Sequence, residues 1–556
     1  MVFDELPNHG QTCDLCIVGS GPVGMSLAIE FERLGRDVFV LESGGSEVDP
    51  KRTEDSHAAI VDPQHHAPME VTVCRAFGGT SWFWGGRCVP YDAVDFVKRD
   101  FVPDSDWPLR YEDIEPWYKA ACEYMLCGDD TFQIPYGREV SDDLVLDGVE
   151  RWATERQIMR THRERIQKSE KIKVYLNSTV IDLDLGEDGR SVESVVVATP
   201  SGKVKVKPRC LILATGGVEA TRLLLSVQRR WPDHFAGTDG PLGRYYMGHL
   251  GGAVSSMVFD DPRSSAAFDW SLDTNRVYYR RRATLAAKVQ LENKLLNSVF
   301  WLDNAPFRDP RHGSGILSAF FLALTVPAIG RRIRTEEVRL AEVGPKPYSV
   351  GAHLLNIVRD APGAVKDAYM ALRDRVFRKP KKPAFTFLNR GGRFTLHYHA
   401  EQVPNPESRI VLTDEVDRHG LSRVLIDLRF SDQDCRSVVD SHRLLDAALR
   451  ANKIGHLDYW YPQEELQERV MEQVLDGYHQ VGVTRMGDDP KDSVVDSNLK
   501  VHGVDNLYVV SSSVYRTDSQ ANSTLLAVAL AMRLASHLNN TVENLDPVAI
   551  SSQAEA

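Results

Sequence analysis

His479 and Asn522 are the two side chains of this sequence whose types and settings suit acid–base chemistry. His479 opens the glycine-bearing run 479–487, and a neutral imidazole titrates near the working pH. Asn522 and Thr524 precede the run 525–534, whose small and apolar residues are too continuous for a surface helix. A buried helix is therefore predicted there, with both polar residues near its N-terminus, a position that suits an anion or a developing negative charge. An amide at Asn522 can donate to an oxygen on which such charge builds. Taken alone, the same residues also fit a core histidine bonded to backbone and a plain helix N-cap.

At the other end of the chain, residues 15–18 read as a short apolar strand leading into Gly19-Ser20-Gly21-Pro22-Val23-Gly24, a helical pattern over 25–34 and a second strand over 37–41. In this setting Gly19 makes a tight turn, Gly21 lets the backbone approach a pyrophosphate, and Gly24 allows close helix–sheet contact. Glu42 ends the second strand, where an acidic side chain accepts hydrogen bonds from a ribose diol. The acid and both strands together favour a dinucleotide site over a structural glycine turn.

A second glycine-rich segment, 75–87, is interleaved with aromatic residues and follows neither a helical nor a strand period. Such a loop lies flat against a large planar ring system while its amides meet ring carbonyls and ribityl oxygens. That favours FAD over NAD, with Arg75, Gly78, Gly79, Thr80, Ser81 and Trp84 as candidate cofactor contacts. Short strands over 172–180, 193–199, 203–207 and 210–213 end in a small-residue turn, 214–217, and return the chain to the nucleotide sheet. Val180 and Ala214 are expected near the adenosine half. A strand over 506–510 leads to Ser511 and Ser512, expected beside the flavin with Asn522 and Thr524.

Taken in this order, these pieces resemble the glucose–methanol–choline (GMC) family of FAD-dependent oxidoreductases, at both ends of the chain and in the strand return between them. The resemblance implies that His479 is the catalytic base and that Asn522 stands where the family has a second His or an Asn. Within the family, residues 78–81, 484–487 and 401–410 look most like the branch of pyranose 2-oxidase, glucoside 3-dehydrogenase and C-glycoside 3-oxidase. That implies oxidation of a secondary ring hydroxyl of a sugar or glycoside to a ketone, with C3 the expected position and hydride passing to flavin N5. Removing hydride from an alcohol carbon also requires a base within hydrogen-bond reach of the hydroxyl, the role His479 would fill. Pyranose 2-oxidase carries its flavin on a histidine whose counterpart here is Phe83, which has no nucleophilic atom, so non-covalent FAD is expected. Two positions depart from the pattern: Ser511 replaces the usual Asp and Ser523 the usual Pro.

The resemblance leaves the electron acceptor open among oxygen, a quinone and a protein. It also leaves two alternatives, a catalytic subunit of a glycoside dehydrogenase passing electrons to a partner protein or quinone, and a non-redox FAD-containing lyase on the same scaffold. On the substrate side His249 follows a family-like stretch, 243–247, and His397 and His399 alternate in a strand so that both face one side. They are candidate contacts for sugar hydroxyls; a half-exposed sheet face is the alternative. No metal is expected, because the HxH pair has no third ligand in the sequence.

A net charge of −12 without a long basic run argues against nucleic acid as a partner. The basic cluster 378–382 reads as a solvated loop after a helix, with contact to an anionic surface as the lesser alternative. Eight cysteines in 556 residues are too sparse for a disulfide framework, and the polar start lacks a secretory pattern, so a cytoplasmic location is the default expectation. The apolar stretch 316–329 is shorter than the roughly 20 residues needed to span a bilayer. Core packing is expected for it, with peripheral membrane or partner-subunit contact as the lesser alternative, and a homo-oligomer or small partner subunit is left open.

The predicted fold is α/β (α+β overall): a Rossmann-like FAD-binding domain from the discontinuous segments 1–95, 170–260 and 470–556, with 96–169 as a connecting segment. Residues 261–469 are expected to form a strand-rich, antiparallel substrate domain roofed by helices. Its strands are predicted over 276–289, 385–399, 409–412 and 422–429, its helices over 361–378 and 431–451, and a lid or interaction arm over 330–385.

Overall fold

The computed structural model describes residues 1–7 and 9–542, so the last part of the expected 470–556 segment lies outside the described residues. The strand Gln11–Val18 alternates in exposure at first and then buries Leu15, Cys16, Ile17 and Val18, as an apolar run flanked by strands on both sides must. It pairs in parallel with Val38–Leu41 on one side and Gly202–Leu213 on the other. The helix between the first two strands starts at Pro22, earlier than the apolar period indicates, because proline's fixed φ and missing N–H suit a first helical turn.

The eight-stranded sheet runs in the order Val2–Phe3, Ile172–Tyr175, Val38–Leu41, Gln11–Val18, Gly202–Leu213, Val192–Thr199, Thr179–Leu185, with Leu507–Val509 also paired to Gly202–Leu213. The predicted strand over 172–180 is two strands: Asn177, at φ 50°, turns the chain between them. Conversely, the strands predicted over 203–207 and 210–213 are one long strand. Its first half pairs antiparallel with Val192–Thr199 and its second half parallel with Leu507–Val509. The helix Thr524–Val542 packs in the same core; Leu525, Leu526, Val528 and Leu530 are buried, each contributing about 2 kcal/mol.

A second, six-stranded sheet is antiparallel, in the order Gly455–Tyr459, Leu250–Phe259, Arg393–Ala400, Ser298–Asp303, Ala283–Leu285, Leu144–Val145. The helices Asp432–Ala451 and Leu466–Met471 share its apolar core, and the first is fixed at its start by a reciprocal capping box between Ser431 and Asp434. The mixed α/β architecture with a helix-covered antiparallel sheet is the expected one, but several boundaries move. Leu250–Phe259, placed on sequence with the nucleotide segments, is an inner strand of the six-stranded sheet, and Leu144–Val145 from the connecting segment is its edge. The strand predicted over 276–289 is two short strands in different sheets followed by the helix Ala287–Glu292. Only Arg393–Ala400 of the strand predicted over 385–399 forms, because Asn389–Gly392 is a turn with Gly392 at φ 58°. The hairpin Arg409–Val416 and Ser422–Asp427 pairs with Ala59–Ile60 instead of joining the substrate sheet, and Arg222 fastens it to the nucleotide side through Asp417 (2.7 Å).

The region 315–376 is helical: Gly315–Thr325, Pro327–Ile333, Glu336–Val343, Val350–Arg359 and Ala361–Val376. The first two are bent by 113° at Val326–Pro327, and among the described residues no single helix is long and apolar enough to cross a membrane.

The two glycine-rich segments touch. A Cβ on Gly79, which sits at φ +53°, would lie 2.7 Å from the Gly21 Cα. Gly79→Ala is therefore expected to destabilise the protein by on the order of 1–3 kcal/mol, read as a lower midpoint in thermal unfolding. Gly351→Ala, on a helix with open space around the new methyl, is expected to be neutral or stabilising. Equal midpoints for the two variants would show that the glycine contact does not constrain the fold.

Candidate active site

A cavity of about 670 Å³ runs from the first glycine turn to His479 and Asn522. Its walls at the nucleotide end include Gly19, Gly21, Glu42, Arg75, Val180, Ala214 and Thr215. Gly19, at φ +99°, leaves no room for a side chain, since its Cβ would stand 2.7 Å from the Ala214 carbonyl oxygen; at Gly24 the same atom would meet the Gly19 oxygen at 2.0 Å. A Cβ built on Gly21 would meet nothing within 4 Å, so that face of the backbone is open to a close ligand. Glu42 is buried and accepts from the Ser20 N–H (3.0 Å), the Ser20 hydroxyl (2.6 Å) and the Gly44 N–H (2.7 Å). A carboxylate has about four acceptor positions, so one remains for an outside hydroxyl. Arg75 faces Glu219 (2.9 Å) and donates to Ser56 (2.7 Å), which commits its charge within the wall.

From the second glycine segment, Gly79, Thr80, Phe83, Trp84 and Gly85 line the cavity. Gly78 and Ser81 are not brought to it; Ser81 donates to the Gly78 carbonyl (2.7 Å) and shapes the loop from behind, on a separate small cavity. Ser511, Ser512 and Thr524 line the cavity as Asn522 does. Ser511, where the resemblance has an acid, bonds Ser513 (2.7 Å).

At the far end His479 meets Asn522: the Asn522 amide donates to His479 Nε2 at 3.0 Å. His479 Nδ1 faces Asp476 Oδ2 at 3.1 Å, which sets the proton on Nδ1 and the lone pair on Nε2. Asp476 is the residue that the sequence reading missed. It is buried and also accepts from the backbone N–H groups of Tyr478 (2.8 Å), His479 (3.1 Å) and His249 (2.6 Å). Burial by itself would raise its pKa, but His479 and His249 outweigh it and hold the carboxyl well below its ordinary value. Its sequence signal was modest, an Asp three residues before the histidine in a turn containing Gly477.

His249 is buried, with Nε2 against the Asp518 carbonyl (3.0 Å) and Nδ1 3.3 Å from Asp476. Burial lowers its pKa despite Asp476, and both ring nitrogens face oxygen acceptors. His399 donates from Nδ1 to the Gln520 carbonyl (2.7 Å) and stacks on His249 at 4.3 Å; burial, then His249 and Arg87, push its pKa well down. His397 does not join this group; it stacks on Trp301 (5.8 Å) near Asp303. The HxH pair gains no third ligand; His399 alone joins His249 and His479, one ring nitrogen of each lying within 4.8 Å of the others. Hydrogen bonds to Asp476, Asp518, Gln520 and Asn522 engage at least one ring nitrogen of each histidine and both of His479.

The cavity is also lined by Trp152, Trp301, Arg87 and Arg280. Arg87 faces Glu150 (2.5 Å) and lies 4.7 Å over Trp301, and Arg280 donates to the same carboxylate (2.9 Å). Burial, reinforced by Arg280 and Arg282, lowers Arg87 to about 10 against the pull of Glu150. These four come from separate segments, so no local pattern announces them.

Residues 404–531 match a family described as GMC oxidoreductase. Among curated proteins, the chain is 20% identical to the fructose dehydrogenase large subunit of Gluconobacter japonicus, over 97% of this chain and all of the relative. It is 22% identical to paromamine 6'-oxidase of Streptomyces fradiae, over 94% of this chain and 90% of the relative. Among solved structures it shares its fold with pyridoxine 4-oxidase from Mesorbium loti (TM-score 0.55, 17% identity, 95% of this chain and 99% of that one) and with a formate oxidase (0.53, 14%, 97% and 100%).

Asp476 supplies a stability test. A carboxylate whose folded pKa is depressed stabilises fully above its unfolded pKa of about 3.9 and loses that contribution as pH falls through the folded value. Asp476→Asn is expected to lose roughly 2–4 kcal/mol near neutral pH, with the gap to wild type closing only below about pH 4 in denaturant titrations. A gap that closed between about pH 6 and 7 would instead follow histidine ionisation.

Proposed function

We propose that this chain is an FAD-dependent alcohol oxidoreductase of the glucose–methanol–choline family and that it oxidises a secondary ring hydroxyl of a sugar or glycoside, C3 being the expected position. The observation that carries this reading is the His479–Asn522 pair at 3.0 Å in the cavity that also holds the glycine turn and Glu42. The residues present fit the cofactor: glycine backbones open to a pyrophosphate, an acceptor position on Glu42 for a ribose hydroxyl, and the buried Thr215 hydroxyl unpaired among the described residues. FAD bound there supplies the hydride acceptor.

His479 Nε2 is the acceptor for the hydroxyl proton, since its lone pair meets only the Asn522 amide. A substrate oxygen inserted between the two residues gives its proton to Nε2 and accepts from the Asn522 amide as charge builds on it. Asp476 keeps Nδ1 protonated, fixes the ring and stabilises the imidazolium that results. Trp152, Trp301, Arg87 and Arg280 line the same cavity and are the candidate contacts for a sugar ring. The relatives named for fructose and paromamine support a carbohydrate-type substrate. Phe83 is half-exposed at the cavity, which supports flavin held without a covalent bond at that position.

A second reading has the chain as a catalytic subunit that hands electrons to a partner, supported by the relative named as a large subunit. Anaerobic mixing with a panel of glucosides is expected to bleach the flavin absorbance. NMR should identify a 3-keto product, and acid precipitation should release all flavin to the supernatant. A panel that leaves the flavin oxidised, or a product carbonyl at another carbon, would overturn the substrate or the position. Rapid reoxidation by air of the protein purified alone would count against the partner-dependent reading.

A further inference from the structure

The helical region 315–382 has its polarity turned outward. Of the twenty-six large apolar side chains exposed among the described residues, fourteen lie between Val326 and Phe377. On the helix Ala361–Val376, Val365, Tyr369, Leu372 and Val376 recur every three or four residues and are 70, 65, 61 and 57% exposed, followed by Phe377 at 79%. Two carboxylates at this stretch are buried instead. Asp374 is buried against Arg373 (2.7 Å) and Arg378 (3.3 Å), and Asp360 is buried, accepting from the Gly315 N–H (2.8 Å).

The preceding helix Val350–Arg359 repeats the inversion. Its buried residue is His353, bonded to the Ser318 hydroxyl (3.1 Å), while Val350, Leu354, Leu355 and Val358 face out. An apolar helical face normally points to the core, and a contiguous exposed one marks a contact surface.

Charge identifies what covers it. Residues 326–382 contain thirteen Lys and Arg against six Asp and Glu, a net of +7 in a chain of −12, so the remainder carries −19. With Asp360 and Asp374 buried, the outer face of the last helix shows apolar side chains beside Lys366, Arg375 and Lys379. Two such arms brought together around a two-fold axis would repel. The twelve other exposed large apolar residues are spread along the chain from Met1 to Tyr478 and gather in no matching segment. Apolar side chains rimmed by cations suit the boundary of an anionic bilayer, where such helices lie in the plane of the interface. The acidic remainder is repelled by the same surface, which fixes the docking face.

We propose that the helices of 326–377 form a peripheral docking surface for anionic lipid membranes. In flotation assays the flavin-loaded protein is expected to rise with phosphatidylcholine vesicles containing phosphatidylglycerol, not with phosphatidylcholine alone, and less at raised salt. Leu372→Glu with Phe377→Glu, and separately Arg375→Glu with Lys379→Glu, should each lower the bound fraction by roughly tenfold or more, with flavin spectrum and thermal midpoint unchanged. Val411→Glu, an exposed apolar site outside the arm, should bind as wild type does. Absence of flotation with anionic vesicles, or flotation that neither pair reduces, would overturn the proposal. So would an oligomer in solution that the Leu372→Glu, Phe377→Glu variant converts to monomer while vesicle binding is lacking, because a second copy would then be the occupant.

Discussion

The Asp476 carboxylate lies where the two halves of the molecule meet. One oxygen holds the Tyr478 and His479 amides at the edge of the cofactor cavity; the other holds the His249 amide, one residue before the inner strand Leu250–Phe259 of the six-stranded sheet. The same carboxylate directs the His479 ring. A buried anion with this many donors can neither rotate nor be replaced by water without leaving several groups unpaired. The base, the neighbouring histidines and the join between the sheets therefore depend on one side chain. Gly248 shows how closely it is packed, since a Cβ there would stand 2.8 Å from the Asp476 Cβ.

The other side of the site is held by backbone carbonyls. The segment 516–522 passes under the histidines, with the Asp518 carbonyl accepting from His249 and that of Gln520 from His399. Its side chains anchor it: Asp518 accepts from the Gln402 N–H (3.0 Å), Ser519 donates to Asp95 (2.5 Å) and Gln520 to Asp92 (2.8 Å). Burial and the nearby Asp92 and Glu401 push Asp95 up to about 7, against the pull of Arg99 and Ser519. Fixed dipoles of this kind orient rings without adding charge beside them.

Local patterns announced most of the cofactor end. The Gly19–Glu42 unit, the Gly79–Trp84 loop and the apolar terminal helix each have a period or a turn residue that dictates a conformation, and each forms. The substrate end was less legible because its parts come together only through sheet pairing. Trp152 and Trp301 sit in different sheets, and Asp476 reaches His249 across more than two hundred residues. Strand boundaries failed where one residue decided them, as at Asn177 and Gly392. The arm, expected as a lid or interaction arm, was left undecided for another reason. An apolar stripe with helical spacing does not tell which way it faces, and the buried Asp374 and His353 show that these helices turn their apolar residues outward.

The central claim is that His479 and Asn522 act on one oxygen with Asp476 setting the proton. It is tested most directly by the anaerobic rate of flavin reduction in His479→Ala and Asn522→Ala, with a substrate that reduces the wild type. Loss of the base is expected to slow reduction by on the order of 10²–10⁴-fold, with partial rescue by added imidazole or at high pH, and loss of the amide by a smaller factor. A His479→Ala variant that reduced its flavin at the wild-type rate would contradict the assignment.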